Sequence, residues 1–196
     1  MFSHFHYKNI EFWDLTMHVM RIGWNGCNLI QELDRDSRVN RVNIRGNIYD
    51  PIKIRVIMNA LESTQVKILN LGNNIIGGNA AKYSNAAQYL ADGLKHTNIT
   101  SLNLYNTDIG SMGIKYLADI LKDTCITSLG LKANQIKDDG MKYLSTGLKN
   151  TNVIFLNLEN NGITSNGIKY LADALHILAL LLLCSVMMIS HVTLIK

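Results

Sequence analysis

A leucine returns every 27 residues. Leu102, Leu129 and Leu156 stand 27 apart, and Leu69 precedes Leu102 by 33, one period plus a six-residue insertion. Going back by 27 from Leu69 reaches Val42 and then Leu15. A period of this length means stacked supersecondary units, and it outranks any local signal in deciding the fold. Other columns follow at fixed offsets from these anchors. Three residues ahead stand Phe12, Val39, Val66, Ile99, Ile126 and Val153. Two residues after stand Met17, Ile44, Leu71, Leu104, Leu131 and Leu158. Five after stand Asn47, Asn74, Asn134 and Asn161, with Met20 and Thr107 as exceptions. Seven after stand Ile22, Tyr49, Ile76, Ile109, Ile136 and Ile163.

Each unit contains two rhythms. Segments such as Ser101-Leu102-Asn103-Leu104 and Phe155-Leu156-Asn157-Leu158 alternate apolar and polar residues, the pattern of a short half-buried strand. The second half places Ile114, Leu117, Ala118 and Leu121 on one helical face, repeated as Met141, Leu144, Ser145 and Leu148. Ser84, Ser111, Asp138 and Ser165 share a column where a helix is expected to begin, so they are read as N-caps. Gly113, Gly140 and Gly167 follow in the first turn, where a small residue admits the neighbouring loop. Tyr89, Tyr116, Tyr143 and Tyr170 lie between the apolar helix positions and are expected to pack with their hydroxyls in water. Lys115, Lys142 and Lys169 form a ridge that Asp92, Asp119 and Asp173 offset, the composition of a solvated helical face.

The units Leu102-x-Leu104 through Ile109, Gly113, Leu117 and Leu121, and Leu129-x-Leu131-x-x-Asn134-x-Ile136 through Gly140, Leu144 and Leu148, resemble leucine-rich repeats. The helical second half and the unit length resemble the ribonuclease-inhibitor subclass, found also in NOD-like receptors and in a GTPase-activating protein for Ran. That resemblance implies an α/β solenoid, a horseshoe arc with a parallel sheet on the inner curve and helices outside. It implies three regions. Residues 1–38 form an N-terminal cap with a degenerate repeat, 39–176 hold five repeats, and 177–196 form an apolar tail. The insertion falls near residues 77–84 and is a second candidate surface.

Asn47, Asn74, Asn134 and Asn161 are assigned a structural part, because a buried amide can serve loop donors and acceptors that neither sheet nor helix reaches. Thr107 breaks this column, and a weak spot that Thr107→Asn would repair is expected there. Function is sought on the inner surface, at the strand positions that the core does not claim. Arg45, Asn103, Tyr105, Lys132, Phe155, Asn157 and Glu159 are the partner-binding candidates, since Tyr, Arg and Phe are common interface anchors. Their mixed charge favours a protein partner over a polyanion. The whole chain has 19 Lys and Arg against 15 Asp and Glu, a mild excess that disfavours a dedicated nucleic-acid binder.

No catalytic, metal or cofactor motif emerges. Gly72-Asn73-Asn74-Ile75-Ile76-Gly77-Gly78 lacks the Lys-Ser/Thr of a phosphate loop, and His96, His176 and His191 have no partners at triad spacing. Asp138-Asp139 is explained by helix capping. Cys27, Cys125 and Cys184 are odd in number and widely spaced, which points to reduced thiols and a cytoplasmic setting. With 47% hydrophobic and 17% charged residues the chain is not disordered, but that apolar content is uneven. Residues 177–195 carry no Asp, Glu, Lys or Arg and nearly reach the ~20 residues of a membrane helix. The tail is read as a buried cap with a strand at 180–183, as a membrane anchor, or as a shifted reading frame. The function expected is noncatalytic protein recognition on the concave face. The alternatives are a membrane-tethered receptor or adaptor, and an accessory regulator of a GTPase or nuclease.

Overall fold

The anchor residues Val42, Leu69, Leu102, Leu129 and Leu156 each sit at the centre of a three-residue strand, where the middle side chain points into the core. The computed structural model describes residues 12–14, 39–46, 48, 50–62, 64–77, 85–175 and 193–195. The strands are β1 (Phe12–Asp14), β2 (Arg41–Asn43), β3 (Ile68–Asn70), β4 (Ser101–Asn103), β5 (Ser128–Gly130), β6 (Phe155–Asn157) and β7 (Thr193–Ile195). They lie side by side in chain order. The first six are parallel, and Val42, Leu69, Leu102, Leu129 and Leu156 are in register with one another and buried. The chain is thus an α/β solenoid, with one helix returning after each of β2 to β6: α1 (Pro51–Leu61), α2 (Ala86–Leu94), α3 (Gly110–Ile120), α4 (Lys137–Gly147) and α5 (Ser165–Leu175).

Both ends depart from the expected alignment. At the first strand Trp13, not Leu15, pairs with Val42. A two-residue shift keeps the alternation of faces, which is why a repeat count alone does not detect it. At the far end the strand beside β6 is Thr193–Ile195, and it runs antiparallel. Residues 180–183, the rest of the tail to 192, the N-terminal segment 15–38 and the insertion from 78 to 84 lie outside the described residues. Among the described residues no helix is long and apolar enough to cross a membrane.

Between strand and helix the backbone turns through a left-handed residue. Gly46, Asn73, Asn106, Ala133 and Asn160 hold one column and all have positive φ. Gly and Asn tolerate that region; alanine is strained there by about 1–2 kcal/mol. Asn106 Nδ2 donates to Asn73 Oδ1 at 3.0 Å, so the column also links its own side chains. Ala133→Asn should therefore raise stability by about 1 kcal/mol, read from chemical denaturation.

The next residue in three of these turns is a buried asparagine, Asn74, Asn134 or Asn161. Asn161 Nδ2 donates to Leu131 O (2.8 Å) and Leu158 O (2.9 Å), while its Oδ1 accepts from Asn134 N (2.9 Å) and Ile136 N (3.3 Å). One side chain thereby ties two successive coils. Asn74 does the same toward the preceding coil, donating to Ile44 O at 2.6 Å and accepting from Ile48 N at 2.9 Å. Asn47 lies outside the described residues.

At Thr107 the joint is made differently. The hydroxyl proton lies between Leu104 O (3.1 Å) and Asn134 Oδ1 (3.0 Å). The Ile76 amide, whose counterparts Ile109 and Ile136 seek an asparagine Oδ1, donates instead to the Thr107 main-chain carbonyl at 2.9 Å. Gly77 permits this approach, since a Cβ there would lie 2.2 Å from Asp108 O. The expected weak spot is thus already bridged. Thr107→Asn should leave the melting temperature unchanged rather than raise it. Thr107→Val, which keeps the shape and loses the proton, should cost about 1 kcal/mol.

Helix ends are also set by neighbouring coils. Ser111 and Asp138 are second residues of α3 and α4, not caps, and the residues before those helices make no side-chain cap bond. Gly110 N and Lys137 N, at the helix starts, donate instead to Asn134 O (3.0 Å) and Asn161 O (2.9 Å) of the next coil. Asp138 caps a neighbour: its carboxylate accepts from Thr164 N (2.8 Å) and Thr164 Oγ1 (2.6 Å) at the start of α5. Those two hydrogen bonds, the hydroxyl one first, hold the Asp138 carboxyl below the usual carboxylate range. A depressed folded-state pKa adds stability above the unfolded value, and that stability is lost as pH falls through the folded one. The stability gap between wild type and Asp138→Asn should therefore be present at neutral pH and close only below the usual carboxylate range. Melting curves over a pH series check it. Ser84 lies outside the described residues.

Helix exits use another column. Thr64, Thr97, Thr124 and Thr151 donate their hydroxyls to Leu61, Leu94, Leu121 and Leu148 O at 2.8–3.0 Å, satisfying carbonyls at the helix end. On the outer side Tyr89 and Tyr116 pack half-buried against the core, with Arg55 5.5 Å above the Tyr89 ring. Tyr170 on α5 is more exposed, at 40%.

Candidate functional site

Because the strands are in register, equivalent outward positions form rows across the sheet about 4.8 Å apart. One row contains Arg41, Ile68, Ser101, Ser128 and Phe155. The next contains Asn43, Asn70, Asn103, Gly130 and Asn157. A third, just past the strands, runs Arg45, Gly72, Tyr105, Lys132 and Glu159. Its coils are joined by Asn73 N to Tyr105 O (2.8 Å), Asn106 N to Lys132 O (3.0 Å) and Ala133 N to Glu159 O (2.8 Å).

The candidates do not form one continuous patch. Tyr105, Lys132 and Glu159 are adjacent in the third row, and Phe155 and Asn157 lie on the same strand as that glutamate's coil. Arg45 is exposed but stands beyond Gly72, which leaves a gap between it and Tyr105. Tyr105 and Phe155 are half-buried, so each ring rests partly on the sheet while keeping an open face. Lys132 and Glu159 pair, Nζ to Oε1 2.6 Å, with side-chain exposures of 37% and 13%. This pair neutralises the charge that the third row would otherwise present at that end. Its signal in the sequence is opposite charge in one column of adjoining repeats, 27 residues apart.

Asn103 and Asn157 have a local task. Their Oδ1 atoms accept from Tyr105 N (2.9 Å) and Glu159 N (3.0 Å), two residues on. Asn70 does the same for Gly72 N at 3.0 Å. Such side-chain turns end the strand and set where the third row begins. These two candidates therefore position Tyr105 and Glu159. The small residues Ser101, Ser128 and Gly130 leave the middle of the face shallow, so Tyr105, Lys132 and Phe155 stand around it. No group of three His, Cys, Asp or Glu side chains gathers among the described residues in a way that could hold a metal ion.

A family model described as Leucine Rich repeat matches residues 95–118, 122–145 and 149–172. Those windows repeat at 27 residues, the same step that separates β4, β5 and β6. No curated protein matches the sequence. Among solved structures, a leucine-rich-repeat-containing protein of Legionella pneumophila superposes with a TM-score of 0.58 at 22% identity, over 84% of this chain and 53% of that one. The chain spans about half that protein's length, and a likeness at this identity concerns the fold alone.

Proposed function

Since the chain is a leucine-rich-repeat protein, and such repeats are protein-interaction modules, we propose that it is a noncatalytic module that grips a protein partner on its inner sheet face. The observation that carries this is the placement of Tyr105, the Lys132–Glu159 pair and Phe155 on adjoining coils, with no side chain of theirs needed by the core. Aromatic rings with one open face lose little freedom on binding and can bury a large area. The mutual neutralisation of Lys132 and Glu159 favours a partner that meets this end with apolar and hydrogen-bonding groups. The full helix in each 27-residue coil supports the ribonuclease-inhibitor-like subclass.

The test is proximity labelling in cells with wild type and Tyr105→Ala/Phe155→Ala, each first confirmed to keep the wild-type melting temperature. Loss of a shared set of labelled proteins supports the inner face. An unchanged set in a stably folded variant rejects it. Lys132→Ala is a poorer probe, because it removes the cation 2.6 Å from a carboxylate that is 13% exposed. Its effects would mix folding with binding.

A further inference from the structure

From α2 to α5 the lysines of the outer helices are offset by an aspartate column that is interrupted at α4; α1 carries Asn59 at the same offset. Asp92 and Asp119 share an offset that Asp173 continues in sequence, and between them, on α4, stands Thr146. Where the aspartate is present the balance can be direct: Asp92 Oδ1 lies 3.5 Å from Lys95 Nζ, three residues on. On α4 the column offers no carboxylate to Lys142, four residues before, or to Lys149, three residues after. The Thr146 hydroxyl turns back instead and donates to Lys142 O at 3.2 Å.

At this same place the helices leave a cleft of about 320 Å³ between α3 and α4. Ala118, Tyr143 and Gly147 line it together with Lys122, Lys142 and Lys149, three basic residues against the one acidic residue Asp119. None of these three lysines is ion-paired within the described residues, whereas Lys95 and Lys132 are. Lys115 Nζ lies 5.7 Å from the Tyr143 ring centroid and steadies that wall by a cation–π contact. A missing carboxylate, three basic residues and the Tyr143 wall thus coincide.

We propose that this cleft docks an acidic peptide segment of a protein partner. A carboxylate of the segment takes the place that the aspartate column leaves open at Thr146, and an adjacent apolar side chain rests on Ala118, Gly147 and Tyr143. An extended polyanion fits less well, because Asp119, Asp123 and Asp139 lie exposed around the same helices and repel a long run of phosphates. The site is separate from the inner sheet face, so a partner held there and one held here do not compete for residues.

The test uses the full chain and a fluorescein-labelled peptide of sequence Glu-Glu-Leu-Asp-Glu, titrated by anisotropy. Thr146→Asp is the central variant, since it restores the residue type that the column carries on neighbouring helices and so keeps the fold. It should weaken binding by about tenfold or more, as should Lys142→Gln/Lys149→Gln. Tyr105→Ala/Phe155→Ala should bind as wild type does, which separates this site from the inner-face reading. Four results would each overturn the proposal: no binding by wild type, equal binding by Thr146→Asp, equal binding of a peptide with Ser in place of Leu, or displacement by inorganic phosphate or single-stranded RNA at the peptide's own concentration.

Discussion

Asn134→Ala should destabilise the protein by about 3–5 kcal/mol, well above the effect of an ordinary surface substitution. Asn134 is fully buried, and its amide nitrogen donates to Leu104 O at 2.6 Å and Leu131 O at 3.0 Å. Its Oδ1 accepts from Thr107 N (2.9 Å), Thr107 Oγ1 (3.0 Å) and Ile109 N (3.3 Å). Truncation strips partners from two coils at once, and each buried group left without one costs about 1–3 kcal/mol. Asn134→Asp separates this from packing, because it keeps the shape and the acceptors but loses both donors. It should be as damaging as alanine near neutral pH. Equilibrium unfolding in urea reads both variants. A loss below about 1 kcal/mol for Asn134→Ala would mean that water replaces the amide without cost.

Gly147→Ala should also destabilise, against the usual sign of such a change. In an exposed helix interior alanine gains about 1 kcal/mol over glycine. Here a Cβ on Gly147 would lie 2.4 Å from Ala118 O and 2.6 Å from Ala118 Cα. Those atoms are backbone, so relief requires α3 and α4 to move apart, and overpacking of this kind costs about 1–3 kcal/mol. The steric term outweighs the propensity term, for a net loss of about 1–2 kcal/mol. Gly147→Ser should lose at least as much. A stabilised Gly147→Ala in a denaturant titration would show that the two helices are not held at this distance.

The periodic core was readable because a three-residue strand has room for one inward side chain, so burial recurs at a single position in each coil. Val42, Leu69, Leu102, Leu129 and Leu156 carry that constraint visibly, and the 33-residue step shows where the period was lengthened. The left-handed column was equally present, as Gly46, Asn73, Asn106 and Asn160, but it is masked by the asparagine that follows it in Asn73-Asn74 and Asn160-Asn161. The threonine column at helix exits, Thr64 through Thr151, is present in the sequence too, but one hydroxyl per coil is a weaker signal than the apolar columns. What sequence could not supply was the partner of each polar group. Asp138 stands where a cap belongs, yet in a coil the nearest orphan amide is one turn away, at Thr164. In the sequence Lys132 and Glu159 are two separate partner-binding candidates, and their pairing depends on where two side chains from successive turns meet.

The Ile76 amide gives its proton to the Thr107 main-chain carbonyl, and that choice of acceptor bears on how the chain tolerates inherited change. A tie made by an asparagine side chain can be lost through one codon. A tie made by the peptide carbonyl survives any replacement at 107, because every residue type brings the same oxygen. The six extra residues lie directly after the half of this joint that holds Ile76 and Gly77. Drift at position 107 leaves the bond between these coils in place, and the chain can carry added length here without losing its register downstream.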